Sequence, residues 1–231
     1  MMPIKAILFD LDNTLLDRTR TFERFTNGFI ETYFGHLKVT RDIFDRIIDL
    51  DQDGYKDKTE LFAELLEELP WKLRPEQSEL LEFYGREYVN HALLMEQARE
   101  VVTGLREKYR TGLITNGRSA IQHGKIDRLG IRELFDVILV SEDEGVKKPD
   151  RILFDRAATR LQVTPEQCIY IGDHPVNDIG GAANAGMRTI WFKVNQPWRD
   201  EIAAVPLHTI THLSELPGLL QAKTPGASLG R

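Results

Sequence analysis

The stretch AILFDLDNT, residues 6–14, changes abruptly from an apolar run to a polar one. The apolar half is typical of a buried strand, and the polar half then falls at the strand's carboxyl end, where a parallel sheet binds ligands. Asp10 and Asp12 can converge on one point there, and like charges held together need a cation or a shared proton. Taken alone, Asp12, Asn13 and Thr14 fit a turn cap equally well, so a second signal is needed.

From Glu96 onward, helical periodicity alternates with short β-branched runs, which is the pattern of βα units that build a parallel sheet. The sequence therefore predicts an α/β fold with a Rossmann-like three-layer core, formed by residues 1–16 and 95–221. Gly130 is expected to end a helix and Pro149 to begin one. Strands are predicted at Ile4–Phe9, Thr111–Thr115, Phe135–Val140, Gln167–Gly172 and Arg188–Phe192, and helices near Gln97–Lys108, Arg118–Leu129, Pro149–Leu161 and Pro175–Ala185.

Residues 17–94 interrupt this series with several helical patterns and no convincing strand. The clearest pattern is Thr59–Leu69, with Thr59 as the expected N-cap, and a second pattern follows Pro75. An all-helical block inserted after the first strand is most simply a cap domain over the sheet. Residues 222–231 have no apolar periodicity and are predicted to form a flexible tail.

A second acidic pair follows another predicted strand. Asp173 comes directly after Gly172, which permits a tight turn, and Asp178 lies five residues later in the first turns of a predicted helix. A favourable interaction of Asp178 with the helix dipole is worth only a few tenths of a kcal/mol and does not explain both pairs. His174, beside Asp173, is expected to be a turn residue rather than a base.

Two segments between the acidic pairs suit an anion. Thr115, Asn116 and Gly117 end a predicted strand with a hydroxyl, an amide and a glycine, which can offer donors to phosphoryl oxygens. Two lysines precede a predicted helix start. Lys147 is interpreted as a solvated surface residue, whereas Lys148 is predicted to be the fixed cation of the site.

The charges of these residues indicate a metal ion. The four carboxylates of Asp10, Asp12, Asp173 and Asp178 outweigh the single charge of Lys148, and a phosphate dianion would be repelled from such a site. One divalent cation and a proton on Asp12 remove the excess charge. Mg²⁺ fits best because it favours carboxylate oxygens and keeps waters and substrate phosphate as further ligands.

Four segments in order along the chain resemble the motifs of the haloacid dehalogenase superfamily: DLDNT (10–14), LITNG (113–117), KKPD (147–150) and GDHPVND (172–178). Each lies at or near the end of a predicted strand, and the helical insertion is similar to that superfamily's helical cap. A single motif is weak evidence, but the ordered set is specific. The resemblance implies a magnesium-dependent phosphatase that acts on a small phosphate monoester.

The resemblance also implies a role for each motif residue. Asp10 would attack phosphorus and form an aspartyl phosphate, while Asp12 would protonate the leaving alcohol and then activate water. Such an acid works near neutral pH, so the pKa of Asp12 is expected to be raised. Thr115 and the backbone of Asn116 would hold the phosphoryl group, and Lys148 would neutralise it. The expected magnesium ligands are Asp10, the carbonyl of Asp12, Asp173 and Asp178.

Subclasses of the superfamily differ at single positions. Halide-releasing members lack the second aspartate, so Asp12 argues against dehalogenation. Phosphonate-cleaving members use a cap lysine, and nothing distinguishes Lys56, Lys58 or Lys72 in this way. Sugar phosphomutases share all four motifs and stay the nearest alternative, while residues 140–150 are similar to members that act on nucleoside monophosphates. Residues that are expected to set specificity, or else to be solvated surface, are Asp17, Arg18, Tyr55 and Lys56.

Composition bounds the other classes of function. A formal net charge of −6 and a pI near 5.6 oppose a nucleic-acid polymer as partner, because basic residues are scattered among acids. No apolar run approaches the length that spans a bilayer, and no secretory signal opens the chain, so a cytoplasmic monomer or homodimer is expected. The only cysteine, Cys168, lies in an apolar run and is expected to be buried and inert.

One segment suggests a different class. Residues 49–60 match the EF-hand loop pattern, so a calcium-binding module is the rival hypothesis. Lys56 stands at the eighth loop position, where an apolar residue normally pairs with a second loop, and the sequence contains no second loop. The simpler alternative is a helix corner with Asp53 and Gly54 in the turn.

Overall fold

Six short, mostly apolar runs form one parallel sheet in the computed structural model, which describes residues 2–221. The strand order is β3-β2-β1-β4-β5-β6, and every neighbouring pair is parallel. The predicted α/β fold is confirmed, and the sheet gains one edge strand of three residues that the sequence did not indicate. The strands are β1 (Ala6–Phe9), β2 (Arg110–Thr115), β3 (Val137–Val140), β4 (Cys168–Gly172), β5 (Arg188–Phe192) and β6 (His208–Ile210).

Helices fill the connections between strands and one long insertion after β1. None of the helices in residues 2–221 is both long and apolar enough to cross a membrane. A π-helical turn precedes α9 at Pro175–Gly180, so one predicted helix is two short segments. The helices are α1 (Arg18–Phe34), α2 (Arg41–Asp51), α3 (Lys58–Glu68), α4 (Gln77–Asn90), α5 (Ala98–Arg106), α6 (Ser119–Leu129), α7 (Ser141–Glu144), α8 (Arg151–Arg160), α9 (Gly181–Asn184) and α10 (Leu216–Gln221).

Side-chain capping decides where two helices begin. The prediction that Thr59 caps α3 is wrong, because the carboxylate of Asp57 accepts hydrogen bonds from two N–H groups of the first turn. The prediction that Pro149 lies in the first turn of α8 is also wrong, because Asp150 is the N-cap. Gly130 ends α6 in the left-handed conformation, with a φ of 63°, as predicted.

Both faces of the sheet are covered, which explains why the strands are apolar at nearly every position. In β1, Ile7 and Phe9 face one layer of helices, which includes α5, and Ala6 and Leu8 face the other, which includes α8. All four side chains are fully buried. The sheet and its two helical layers therefore form a three-layer core.

The inserted helices α1–α4 pack around a hydrophobic cluster of their own that is rich in aromatic side chains. Phe29 lies at its centre, and its ring contacts those of Phe62 and Trp71 at centroid distances of 6.1 and 6.0 Å. The division into a core and a cap at residues 16/17 and 94/95 stays a prediction. The predicted tail, 222–231, lies outside the described residues.

The register of the sheet brings distant segments to one edge. Phe9, the last residue of β1, pairs with Leu113 on one side and with Ile171 on the other. The chain after β1 therefore emerges beside the ends of β2 and β4. Because parallel strands present their carboxyl ends at the same edge, the polar residues after all three strands meet there.

Candidate active site

A buried lysine joins two of the predicted aspartates. The ammonium of Lys148 lies 2.5 Å from Oδ1 of Asp10 and 2.7 Å from Oδ1 of Asp178, and all three side chains are buried. Burial by itself lowers the pKa of Lys148, but the charges of Asp10 and Asp178 outweigh this and raise it well above its ordinary value. Lys148 is therefore a buried cation between two of the predicted aspartates, whereas Lys147 is exposed.

Three carboxylates converge beside this lysine. Oxygens of Asp10, Asp173 and Asp178 lie within 4.8 Å of one another. Burial raises the pKa of Asp10 to about 7, although Lys148 opposes the rise, and burial together with the other two carboxylates raises the pKa of Asp173 well above its ordinary value. Oδ2 of Asp173 is buried and has no hydrogen-bond partner among the described residues. This donor set fits a hard divalent cation such as Mg²⁺.

The turn after β4 fixes Asp173 and Asp178. Oδ2 of Asp178 accepts a hydrogen bond from the backbone N–H of His174, and the Trp191 indole donates to the carbonyl of Asp173. Nδ1 of His174 accepts from two backbone N–H groups, which makes it the turn residue that was predicted. Gly172 is required for close approach, because a Cβ there would lie 2.5 Å from the Asp178 carboxyl group.

The carboxylate of Asp12 contacts α6 and is not among the three that converge. Its oxygens lie 2.8 and 3.0 Å from the ammonium of Lys125, and Gln122 donates to Oδ2 at 2.9 Å. Burial raises the pKa of Asp12, but the charge and hydrogen bonds of Lys125 outweigh burial, so the net pKa is lowered. The predicted upward shift is therefore wrong. The expected role of the Asp12 carbonyl as a metal ligand stays a prediction.

The segment after β2 is held from several sides. The side-chain amide of Asn116 donates to the carbonyl of Lys148 at 3.0 Å and accepts from its N–H at 2.9 Å. The N–H of Gly117, at a φ of +146°, donates to Ser141 Oγ at 3.0 Å. The Asn116 side chain therefore holds the loop that carries Lys148, and the Gly117 N–H is bound to Ser141. The phosphate-binding role predicted for this segment is left to Thr115 Oγ1 and the backbone of Asn116.

Tyr55 is the specificity candidate that lies near the three converging carboxylates. The ring of Tyr55 packs against His174 at a centroid distance of 5.4 Å, and partial burial together with the carboxylate of Asp173 raises the pKa of its hydroxyl. The other three have partners elsewhere. Asp17 caps α1, Arg18 forms a buried ion pair with Asp51 at 2.6 Å, and Lys56 lies 2.6 Å from Glu64.

The EF-hand interpretation of residues 49–60 is wrong because its carboxylates diverge. Asp51 pairs with Arg18 and with Lys58, and Asp57 caps α3. The carboxylate of Asp53 instead accepts from Asn13 at 3.2 Å, and from Asn195 and Gln196 beyond β5. The segment is the helix corner of the simpler alternative, with positive φ at Gln52, Asp53 and Gly54.

Gln122 and Lys125 were missed by sequence reasoning, although both contact the first motif. Their signal was two long polar side chains three residues apart on the face of α6 that also carries Ile126 and Leu129. A polar pair on a buried helix face needs a polar partner, and here the partner is Asp12. Nothing in the spacing alone identifies which carboxylate lies opposite.

Known proteins are similar to this chain in sequence. The family model described as haloacid dehalogenase-like hydrolase matches residues 7–192. A glyceraldehyde 3-phosphate phosphatase of Pyrococcus furiosus is 33% identical over 198 residues, covering 84% of this chain and 82% of that protein. The pyrimidine 5'-nucleotidase YjjG of Escherichia coli is 30% identical over 224 residues, covering 93% and 96%.

A solved structure agrees with these matches. The magnesium-bound HAD hydrolase YfnB of Bacillus subtilis superposes with a TM-score of 0.79 at 26% identity, covering 95% of this chain and all of that one. The ordered motifs, the family match over residues 7–192 and this superposition lead to one conclusion. The chain belongs to the haloacid dehalogenase-like hydrolase family.

Proposed function

We propose that this protein is a magnesium-dependent phosphatase that hydrolyses a small phosphate monoester through an aspartyl phosphate on Asp10. The observation that carries the proposal is the buried contact of 2.5 Å between Asp10 and Lys148, beside the carboxylates of Asp173 and Asp178. A nucleophilic carboxylate needs a fixed cation that neutralises the incoming phosphoryl group. The family and the phosphatases among its relatives support the same class of reaction.

The residues at the sheet edge fit a magnesium ion. Asp10, Asp173 and the carbonyl of Asp12 would hold it, with Asp178 beside them. The strongest support is the buried Oδ2 of Asp173, which has no hydrogen-bond partner within residues 2–221. When bound, Mg²⁺ supplies charge neutralisation and a template for the phosphoryl oxygens. The side chain of Lys148 supplies the remaining positive charge.

Two displacements complete the reaction. A carboxylate oxygen of Asp10 forms a bond to phosphorus while the bond between phosphorus and the ester oxygen breaks. Asp12 gives a proton to the departing alkoxide; the negative charge of the bound phosphate favours the protonated carboxyl group and so opposes the lowering of its pKa by Lys125. Water then attacks the phosphorus, Asp12 accepts a proton from it, and the Asp10 carboxylate leaves as inorganic phosphate forms. Thr115 and the backbone of Asn116 hold the phosphoryl oxygens through both steps.

The substrate class is a small phosphorylated metabolite. Tyr55 faces the carboxylate group from the helical insertion and would contact the leaving group. We propose residues 17–94 as the cap that selects this group. Because the relatives named above act on a triose phosphate and on pyrimidine nucleotides, nucleoside monophosphates and small sugar phosphates are the first compounds to test.

A panel of these compounds, with 4-nitrophenyl phosphate as a generic substrate, tests the function. We expect phosphate release that requires Mg²⁺, stops with chelator and is lost in Asp10→Asn, while the exposed Asp49→Asn keeps full activity. Isolation of a radiolabelled phosphoprotein from wild type, and not from Asp10→Asn, would locate the intermediate. Phosphate transfer to a second sugar hydroxyl without release would indicate a mutase, and full activity of Asp10→Asn would refute the mechanism.

A further inference from the structure

The inner face of α6 carries two polar side chains that the four motifs do not include. Gln122 is 2% exposed and Lys125 is 4% exposed, and they lie beside the apolar Ile126 and Leu129 on the same helix. A lysine is almost never buried this deeply unless it is paired. Both side chains are directed at the general acid of the proposed reaction.

Lys125 is surrounded on several sides. Its ammonium lies 2.8 and 3.0 Å from the two oxygens of Asp12 and donates to Oε1 of Gln122 at 2.7 Å. It also lies 4.9 Å from the ring centroid of Tyr88, a buried residue of α4 in the helical insertion. The ammonium thus fixes both oxygens of the carboxylate at once, which a single hydrogen bond to one oxygen does not do.

Gln122 connects the same carboxylate to the phosphate-binding segment. Its side-chain amide donates to Oδ2 of Asp12 at 2.9 Å and also contacts Thr115 Oγ1 and the carbonyl of Asn116. Gln122 therefore holds Asp12 in a fixed position relative to the segment that would hold the phosphoryl group. The two segments are more than a hundred residues apart in the sequence.

Fold stability alone is a weak explanation for this arrangement. A buried ion pair often contributes no more than apolar residues of the same volume, because desolvation offsets the attraction. Orientation is a stronger explanation, because Asp12 follows β1 in a loop and its carboxylate is 26% exposed. Proton transfer requires its oxygen within hydrogen-bond reach of the leaving oxygen.

We propose that Lys125, supported by Gln122, is the positioning residue that holds the Asp12 carboxylate for proton transfer to the leaving group. The inference rests on the proposed phosphatase function and adds a residue that none of the four motifs contains. Tyr88 packs on the ammonium from the helical insertion, so the contact also joins that insertion to the general acid.

The test compares two substrates of similar size that differ in their need for an acid. Benzyl phosphate releases an alkoxide and depends on protonation, whereas 4-nitrophenyl phosphate releases a stable phenolate. We expect Lys125→Met to lose about 10- to 100-fold more kcat/KM on benzyl phosphate than on 4-nitrophenyl phosphate, which is part of the 10²- to 10⁴-fold that general acid catalysis supplies. The parameter kcat/KM is chosen because it excludes the later hydrolysis of the aspartyl phosphate, which both substrates share.

Three controls separate positioning from folding. Both substrates are measured on one preparation, so any unfolded fraction cancels in their ratio. Lys125→Arg keeps the charge and should restore part of the benzyl phosphate activity, and the exposed Lys108→Met should leave both rates unchanged. Equal losses on both substrates in Lys125→Met would overturn the inference while leaving the phosphatase function intact. A wild-type protein that releases phosphate from neither these two substrates nor the panel would overturn both.

Discussion

Asp10→Asn should abolish activity and yet stabilise the metal-free protein. Burial and the neighbouring carboxylates raise the pKa of Asp10 from 3.8 to about 7. A raised folded-state pKa means that stability is greatest below the unfolded pKa and is lost as the pH rises towards 7. Each pKa unit corresponds to about 1.4 kcal/mol, so the ionised carboxylate costs the folded state about 4 kcal/mol above pH 7. Asparagine has nearly the same shape and avoids this cost.

Thermal unfolding at pH 8 with chelator measures the effect. For a chain of this size about 1 kcal/mol shifts Tm by roughly 2–4 °C, so Asp10→Asn should melt roughly 8–16 °C above wild type. The gap should narrow at pH 5 and close only below the unfolded pKa of 3.8, where the carboxyl group is protonated in both the folded and the unfolded state. It should also shrink in excess Mg²⁺, which binds only the wild type tightly. Asp49→Asn, an exposed acid, should not shift Tm. A metal-free Asp10→Asn that melts below wild type at pH 8 would refute the reasoning.

Three further predictions concern other carboxylates and the cysteine. Asp12→Asn should lower Tm at pH 8. The lowered pKa of Asp12 in the folded state contributes stability that is present above its ordinary pKa and is lost as the pH falls. A higher Tm would contradict a stabilising ion pair with Lys125. Burial raises the pKa of the Cys168 thiol to about 12, so a thiol reagent at pH 8 should label it only after unfolding, and rapid labelling of the native protein would show that the site is open. Calcium titration of Asp10→Asn with Asp173→Asn should not change when Asp49→Ala and Glu60→Ala are added, whereas loss of a tight site would restore the EF-hand hypothesis.

Most of the fold was predictable because each strand carries its own local signal. Short apolar runs, each followed by polar residues, indicate strands that are buried on both faces, and helical periodicity between them indicates a parallel sheet. The three-residue strand β6 was missed because its side chains at His208 and Thr209 are polar or exposed and its pairing with β5 is the only evidence for it. Helix starts were missed by one or two residues because Thr59 and Asp57 are both good N-caps, and only the geometry of the turn selects between them.

The sequence by itself determined which residues could carry chemistry at the sheet edge. Asp10 and Asp173 follow strands, Thr115 is the last residue of one and Lys148 precedes a helix. Parallel strands must present those ends together. The charge excess of the aspartates also predicted a cation, since carboxylates at this spacing repel one another. Both inferences depend only on the order of residues along the chain and on the signs of their charges, and both can be taken directly from the sequence.

Only the tertiary structure decided how each charge is compensated. The pKa of Asp12 depends on Lys125, which lies 113 residues away and reaches it through the packing of α6. The acidic run from Asp49 to Glu60 has the composition of a calcium loop, yet Arg18 and Lys58 neutralise Asp51, and Asp53 accepts hydrogen bonds from the core. Electrostatic energy depends on distance in space and on burial, and residue spacing in a sequence specifies neither across separate elements.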